Sequence, residues 1–344
     1  MSSNRQKRAQ IGIQTNEILN RKEYLYPSYS SFDDSLKDEK VDSYEVVSIA
    51  SELESSCAGT LVIDEKITNV WKSNSINVKH NQKYAKDEKQ NKKYPTIRVV
   101  NTTTFAAAKE IYDNQKEAIK DSSSNERDTT DVLCLNFASA KKPGGGFLKG
   151  SQAQEESLAR ASGLYSCLLQ APTYYKANRS SNRRGIYEDL IIYSPEVPVF
   201  RDDNDALIRD PWKTAIITAP APNRGVVIRY SNEDQVDTME CTIRESFEKR
   251  IEMILRTATH FNHKNLVLGA WGCGVFKNDP QVVASLFKKV LLKKCFKGAF
   301  DSVVFAVLDR TEGRQTFNAF HDAFISDGEE DWVTKFDDCL SIAT

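Results

Sequence analysis

"DVLCLNFASAKKPGGGFLKGSQAQEES", residues 131–157, begins as an apolar run of strand length, passes through three consecutive glycines and ends on two consecutive glutamates. A nearly continuous apolar run is what a strand buried on both faces requires, and "AQEESLARASGLYSCLLQ" behind the glycines has helical spacing. Strand, glycine loop and helix in that order form the unit of an α/β fold. Upstream, "IRVVNTTTFAAAKEIYDN" predicts another strand and a helix capped by Thr103 or Thr104. Downstream, "DLIIYSPEVPVF" and "KTAIITAPAPN" predict two strands, each ended by prolines. Ile243, Phe247, Ile251, Ile254, Leu255 and Ala258 mark one face of a helix over 241–260. "KNLVLGAWGCGVF" is a strand entering a second glycine loop, "DPQVVASLFKKVLLKKCF" a helix and "FDSVVFAVLD" a last strand. Alternation of strands and helices predicts a central sheet with helices on both faces.

The flanks are less regular. Residues 7–21 predict a first helix packed on the body. Residues 28–93 read as short strands between polar loops, with the Lys/Asn-rich run as a surface insertion, and 121–131 as a loop. The expected organisation is an N-terminal helical extension over 1–27, one domain over 28–325 and an acidic tail over 326–344.

Composition narrows the partners. With 47 basic and 48 acidic residues among 344, the net charge of −1 supplies no global field for a nucleic acid or an anionic membrane, so an anion must be recognised locally. Seven scattered cysteines, with no C-x-x-C pair, point to a reduced intracellular protein without structural zinc. No apolar run of membrane-spanning length or signal-peptide character is present, so the expected compartment is the cytoplasm or nucleus.

Ligands of open α/β sheets sit beyond the carboxyl ends of the strands, where both glycine loops fall. Glycines let backbone N–H groups approach a phosphate: Gly144, Gly145 and Gly146 in the first loop, Gly269, Gly272 and Gly274 in the second. Residues 145–150 have Walker spacing, but Ser151 follows where lysine is needed. The dinucleotide pattern fails at Lys149. What remains is a diphosphate cradle built from two loops. Glu155 and Glu156 are explained alone by the positive end of a helix. Beside a diphosphate, repulsion between like charges would raise one carboxyl pKa and leave a proton for general acid catalysis, as in glycosidic cleavage; the helix dipole opposes that rise.

The run "NFASAKKPGGGFLKGSQAQEE", with "SLARASGLY", "YSPEVPVFRDD", "ITAPAPN" and "LGAWGCGVFKNDP", resembles the microbial-type poly(ADP-ribose) glycohydrolase family, over about residues 7–310. The resemblance implies a macrodomain-like three-layer α/β/α sandwich with a central mixed sheet and an N-terminal helical and strand extension. It implies hydrolysis of ribose–ribose O-glycosidic bonds in poly(ADP-ribose), with Glu156 as the catalytic acid and Glu155 on the hydroxyls of the scissile ribose. Gln154 would help fix that pair. Gly144, Gly145 and Gly146 would wrap ribose and diphosphate; Gly272, Cys273, Gly274 and Val275 would hold the diphosphate from the other side. Phe276 would pack on the terminal ribose, and Asn136 would meet a ribose hydroxyl. No metal or other cofactor is called for, the substrate is polymer or ADP-ribosylated protein, and the protein is expected to be a monomer with no direct nucleic-acid binding. Two alternatives stand beside this: a mono-ADP-ribosyl hydrolase and a non-catalytic ADP-ribose reader. His260 and His263 read as a helix-terminal pair, Cys273 as a small packing residue, Trp271 as a core or loop anchor. "RSSNRRG", 179–185, reads as an exposed loop, polymer phosphates being its other possible partner.

Overall fold

The structure, a computed structural model, describes residues 3–28, 43–77, 94–121 and 131–325. Most of the Lys/Asn-rich run, most of the 121–131 loop and the acidic tail lie outside the described residues. In chain order the elements are α1 (Ser3–Arg21), β1 (Glu23–Ser28), β2 (Ser43–Ser48), α2 (Ala50–Ala58), β3 (Leu61–Asp64), α3 (Glu65–Asn77), β4 (Thr96–Val100), α4 (Thr104–Asp121) and β5 (Val132–Phe137). Then come α5 (Gln154–Ala161), α6 (Leu164–Leu169), α7 (Pro172–Ser180), β6 (Leu190–Arg201), β7 (Leu207–Ala219), α8 (Arg224–Arg229), α9 (Val236–His260), β8 (Asn265–Leu268), α10 (Pro280–Leu291), β9 (Ser302–Ala306) and α11 (Gln315–Phe324).

Seven strands form one mixed sheet in the order β3-β6-β7-β5-β8-β9-β4, and β1 pairs antiparallel with β2 outside it. Strand β5 is central, parallel to β7 on one side and to β8 on the other. Its alternation places Leu133 and Leu135 in a core with Ile251 of α9, Phe287 of α10 and Phe320 of α11. Val132 and Cys134 point the other way, into a core with Phe105 of α4, Leu158 of α5, Leu164 of α6 and Tyr174 of α7. Two cores on the two faces of one sheet make a three-layer sandwich. Each fully buried Leu or Phe contributes roughly 1.5–3 kcal/mol.

Three expectations are corrected. The stretch 50–77 is mostly helix: α2 buries Leu53 and Ser56, and α3 packs Trp71 on His260 at 3.9 Å. Pro195 and Pro198 do not end β6. Pro195 falls in an irregularity between Ser194 and Val197, and both lie past the end of β3, where no ladder partner on that side needs their missing N–H groups. The helix after the first loop is two helices, because Ser162 turns extended, pairs with Val199, and bonds Leu158 O and Leu164 N through its hydroxyl.

Thr103 caps α4 as expected, its hydroxyl accepting the Ala106 N–H at 3.1 Å. Of the two histidines, His260 ends α9, whereas His263 lies beyond it, buried and bonded to the Tyr193 hydroxyl at 2.9 Å.

Candidate functional site

The first loop leaves β5 and the second leaves β8, so the two start from neighbouring parallel strands, roughly 4.8 Å apart. The first is tied down by Gln154, at the start of α5. Its Oε1 accepts the Phe137 N–H at 2.8 Å, and its Nε2 donates to Leu135 O at 2.7 Å and to Thr104 Oγ1 at 3.0 Å. One side chain therefore joins the end of β5, the start of α4 and the start of α5.

Glu155 is buried, 3% exposed, with Oε2 accepting the Ser139 N–H at 2.7 Å. Glu156 is half-buried, and its Oε1 accepts the Gly146 N–H at 2.9 Å. Burial pushes the Glu155 carboxyl up to about 8; the Ser139 N–H opposes this and the neighbouring Glu156 adds to it. Repulsion was the expected cause of a raised carboxyl; burial is the larger one, and it selects Glu155.

Gly144 and Gly145 have φ of +64° and +60°, and a Cβ on Gly145 would collide with Glu156 Oε1. The loop's N–H groups turn inward: that of Gly145 donates to Lys142 O at 3.1 Å, and that of Gly146 to Glu156. In this loop the Gly146 N–H is thus taken by a carboxyl group.

The second loop has the complementary character. Trp271 is fully buried and donates to Ala219 O at 3.1 Å, and Asn278 Nδ2 donates to Pro222 O at 2.8 Å and Gly272 O at 2.9 Å. Between these anchors, the N–H groups of Gly272, Gly274, Val275 and Phe276 have no partner among the described residues. Gly272 has φ +78°, and a Cβ there would lie 2.6 Å from that of Ala221. Gly274 has open space around it and Val275 is 85% exposed. The Phe276 ring sits 6.4 Å from that of Tyr187, and its carbonyl accepts the Gly225 N–H at 3.0 Å. Burial raises the Cys273 thiol to about 12, so it is no nucleophile near neutral pH.

A cavity of about 640 Å³ runs from this loop past Phe137 and Gln154 to residues 102–105 and 306–310. Neither glutamate lines that cavity, which reaches the pair through their neighbours Gln154 and Ser157; a larger cleft of about 840 Å³, lined by Arg224, Arg244, Asp279 and Gln315, has no residue of the first loop or of α5. Among the described residues, buried oxygens without partners include Asn136 Oδ1, Glu155 Oε1 and the hydroxyls of Tyr174 and Tyr175, and Asn136 and both tyrosines are near enough to Glu155 to interact with it electrostatically. The Asn136 Nδ2 is fixed on Thr218 Oγ1 at 3.1 Å, which leaves its carbonyl oxygen for a ligand donor. Among the described residues no cluster of His, Cys, Asp and Glu suits a metal, and no helix is long and apolar enough to cross a membrane.

Sequence reasoning missed several of these groups. Ser139 acts through its backbone and leaves no residue-type signal. Residues 102–105 and 306–310 meet only through the pairing of β4 with β9. Tyr174 and Tyr175 stand on α7, which "PTYYKANRS" did not announce, although Pro172 at its first turn is a helix-start signal.

The sequence model for the microbial-type PARG catalytic domain matches residues 34–202, which include the first loop and both glutamates. The fold is similar to the crystal structure of poly(ADP-ribose) glycohydrolase from Thermomonospora curvata bound to the inhibitor ADP-HPD. The identity is 36%, the match covers 93% of this chain and 100% of that one, and the TM-score is 0.72. It is also similar to the Deinococcus radiodurans poly(ADP-ribose) glycohydrolase in complex with ADP-ribose, at 38% identity over 80% of this chain and 97% of that one, with a TM-score of 0.66. No curated protein sequence matches.

Proposed function

This chain belongs to the microbial-type poly(ADP-ribose) glycohydrolase family and hydrolyses poly(ADP-ribose), and we propose that Glu156 is the group that moves the proton. The observation that carries this reading is the pairing of a half-buried carboxyl on the Gly146 N–H with a buried neighbour, Glu155, whose burial favours its neutral form. Glu156 protonates the oxygen leaving the ribose anomeric carbon, and the C–O bond breaks with positive charge spread over that carbon and the ring oxygen. Glu156, now a carboxylate, takes a proton from water as the water oxygen bonds to the same carbon. The products are ADP-ribose and a shortened polymer ending in a free hydroxyl, and the Glu156 acid is restored.

Glu155 Oε1 and Asn136 Oδ1, both buried and unpartnered, suit the hydroxyls of the scissile ribose. The four N–H groups of the second loop that have no partner among the described residues suit the diphosphate, and Phe276 the face of the terminal ribose. The cavity toward residues 102–105 and 306–310 leaves room for the adenosine end.

The test is Glu156→Gln, which keeps shape and the Gly146 contact but has no proton to give. Polymer hydrolysis should fall by about 10²–10⁴-fold while ADP-ribose binding persists. A variant that binds ADP-ribose and cleaves polymer at the full rate would refute the assignment.

A further inference from the structure

The terminal ADP-ribose, on the reading above, extends from the glutamates along the cavity toward residue 308. The rest of the polymer must therefore leave by the opposite end, past Ser139 and Phe276. Every unit of that polymer carries a diphosphate with two negative charges, while the protein has a net charge of −1 and no long-range attraction for it. A local set of cations is needed if the departing strand is held at all.

Such a set lies at that end. Lys141 and Lys142, both exposed, follow directly on Ser139, whose N–H holds Glu155. Arg179, the next-to-last residue of α7, donates from its Nη1 to Lys141 O at 3.0 Å and so brings the segment "RSSNRRG" against the first loop. Arg184 in the same segment is exposed, with its guanidinium 4.3 Å from the ring of Tyr230, itself 63% exposed. Three residues on, Tyr187 meets Phe276 and closes the rim against the second loop. Arg183 serves the fold instead, paired with Asp189 at 3.2 Å. Lys141, Lys142, Arg179 and Arg184 form no ion pair among the described residues, although cations elsewhere on the surface do, as in Lys109–Asp113 and Arg98–Glu110.

We propose that Lys141, Lys142, Arg179 and Arg184 form a subsite for the diphosphate of the polymer unit next to the one being released. The subsite separates polymer from a lone ADP-ribose, which ends at the glutamates and never reaches the rim. Arg184 is pre-positioned by its stacking on Tyr230, and Arg179 by the Lys141 carbonyl, so little ordering accompanies phosphate contact.

The experiment uses the full chain and the double variant Lys142→Glu/Arg184→Glu, two exposed positions whose folding is checked by thermal melting. KM for long poly(ADP-ribose) should rise about tenfold at low salt, and its dependence on salt should flatten, because phosphate contacts release counterions. The Kd for free ADP-ribose, measured by calorimetry, should stay within twofold. An unchanged polymer KM would overturn the proposal. So would a parallel loss of ADP-ribose affinity, since the cations would then serve the terminal unit. The inference rests on the polymer reading: absence of polymer hydrolysis in the unaltered protein would strike that reading, whereas an active parent with an indifferent double variant strikes the subsite alone.

Discussion

Replacing Glu155 with glutamine should stabilise the folded protein at neutral pH while damaging its chemistry. The folded-state pKa of about 8 stands above the ordinary value of 4.5 because the carboxyl is buried. Well below pH 4.5 both folded and unfolded chains carry the proton, and the residue adds no pH dependence. Between 4.5 and 8 the unfolded chain releases its proton while the folded one keeps it, so stability falls as pH rises; above 8 the loss levels off. At pH 7 the interval of about 2.5 pH, at about 1.4 kcal/mol each, amounts to roughly 3 kcal/mol. Glutamine does not titrate: its carbonyl can take the Ser139 N–H, and its amide can face the unpartnered Asn136 Oδ1. Urea unfolding of both proteins at pH 4.5, 6, 7 and 8 measures the effect, because all other titrating groups are common to the two chains. The stability of Glu155→Gln relative to the parent should climb by about 1.4 kcal/mol per pH unit between pH 6 and 7, and less steeply toward pH 4.5 and pH 8. A difference independent of pH would refute the reasoning, whatever its size.

Further outcomes follow from the same geometry. Gly145→Ala should lose roughly 1–2 kcal/mol from its left-handed backbone, and its Cβ should push Glu156 off the Gly146 N–H; a melt read beside a polymer-digestion rate checks both, with activity falling more than stability accounts for. Arg250 is fully buried, with Nε on Asp189 at 3.0 Å and Nη atoms on the carbonyls of Pro220, Ile186 and Tyr187. Arg250→Met should therefore cost about 3–5 kcal/mol by denaturant unfolding, with part recovered in Arg250→Met/Asp189→Leu. Burial draws Asp189 upward, but Arg250 and Lys249 outweigh it and hold its pKa below 3.8; stability from this pair is complete above that value and should drain away as pH falls through the lowered one, a loss absent from the double variant.

How far the sequence could be read depended on whether a feature is local. The strand from Val132 to Phe137 and the loop behind it were legible because burial on both faces and three glycines leave direct marks in composition. The helices α2 and α3 were not, since "ASELESSCA" buries Leu53 and Ser56 alone and both it and "EKITNVWKSNSIN" carry weak amphipathic patterns. Prolines in β6 misled because their tolerance depends on where β3 stops, a fact about another segment. At the site, the glutamate pair announced itself, but which member titrates depends on how deeply each is covered, and Ser139 and Gly146 decide that through backbone groups. The inward turn of the first loop's N–H groups and the outward turn of the second loop's are likewise invisible in a string of glycines. "RSSNRRG" shows both limits at once, with Arg183 spent on Asp189 and Arg184 left facing solvent.

Helix α1 is in contact with the reverse side of the first loop at several points. Gly12 packs on the Phe147 carbonyl and Gly150 on that of Arg5, with no room for a Cβ at either. Arg5 and Arg8 donate to the carbonyls of Lys149 and Gly150 at 3.2 and 3.1 Å, and Thr15 to that of Arg160 at 2.7 Å. The first dozen described residues are thus the outer wall of the turn that carries Gly146 and, through it, Glu156. A purification tag folded back on that helix, a start site chosen a few codons downstream, or proteolytic nicking ahead of Gly12 would be felt as lost turnover rather than as a trimmed end.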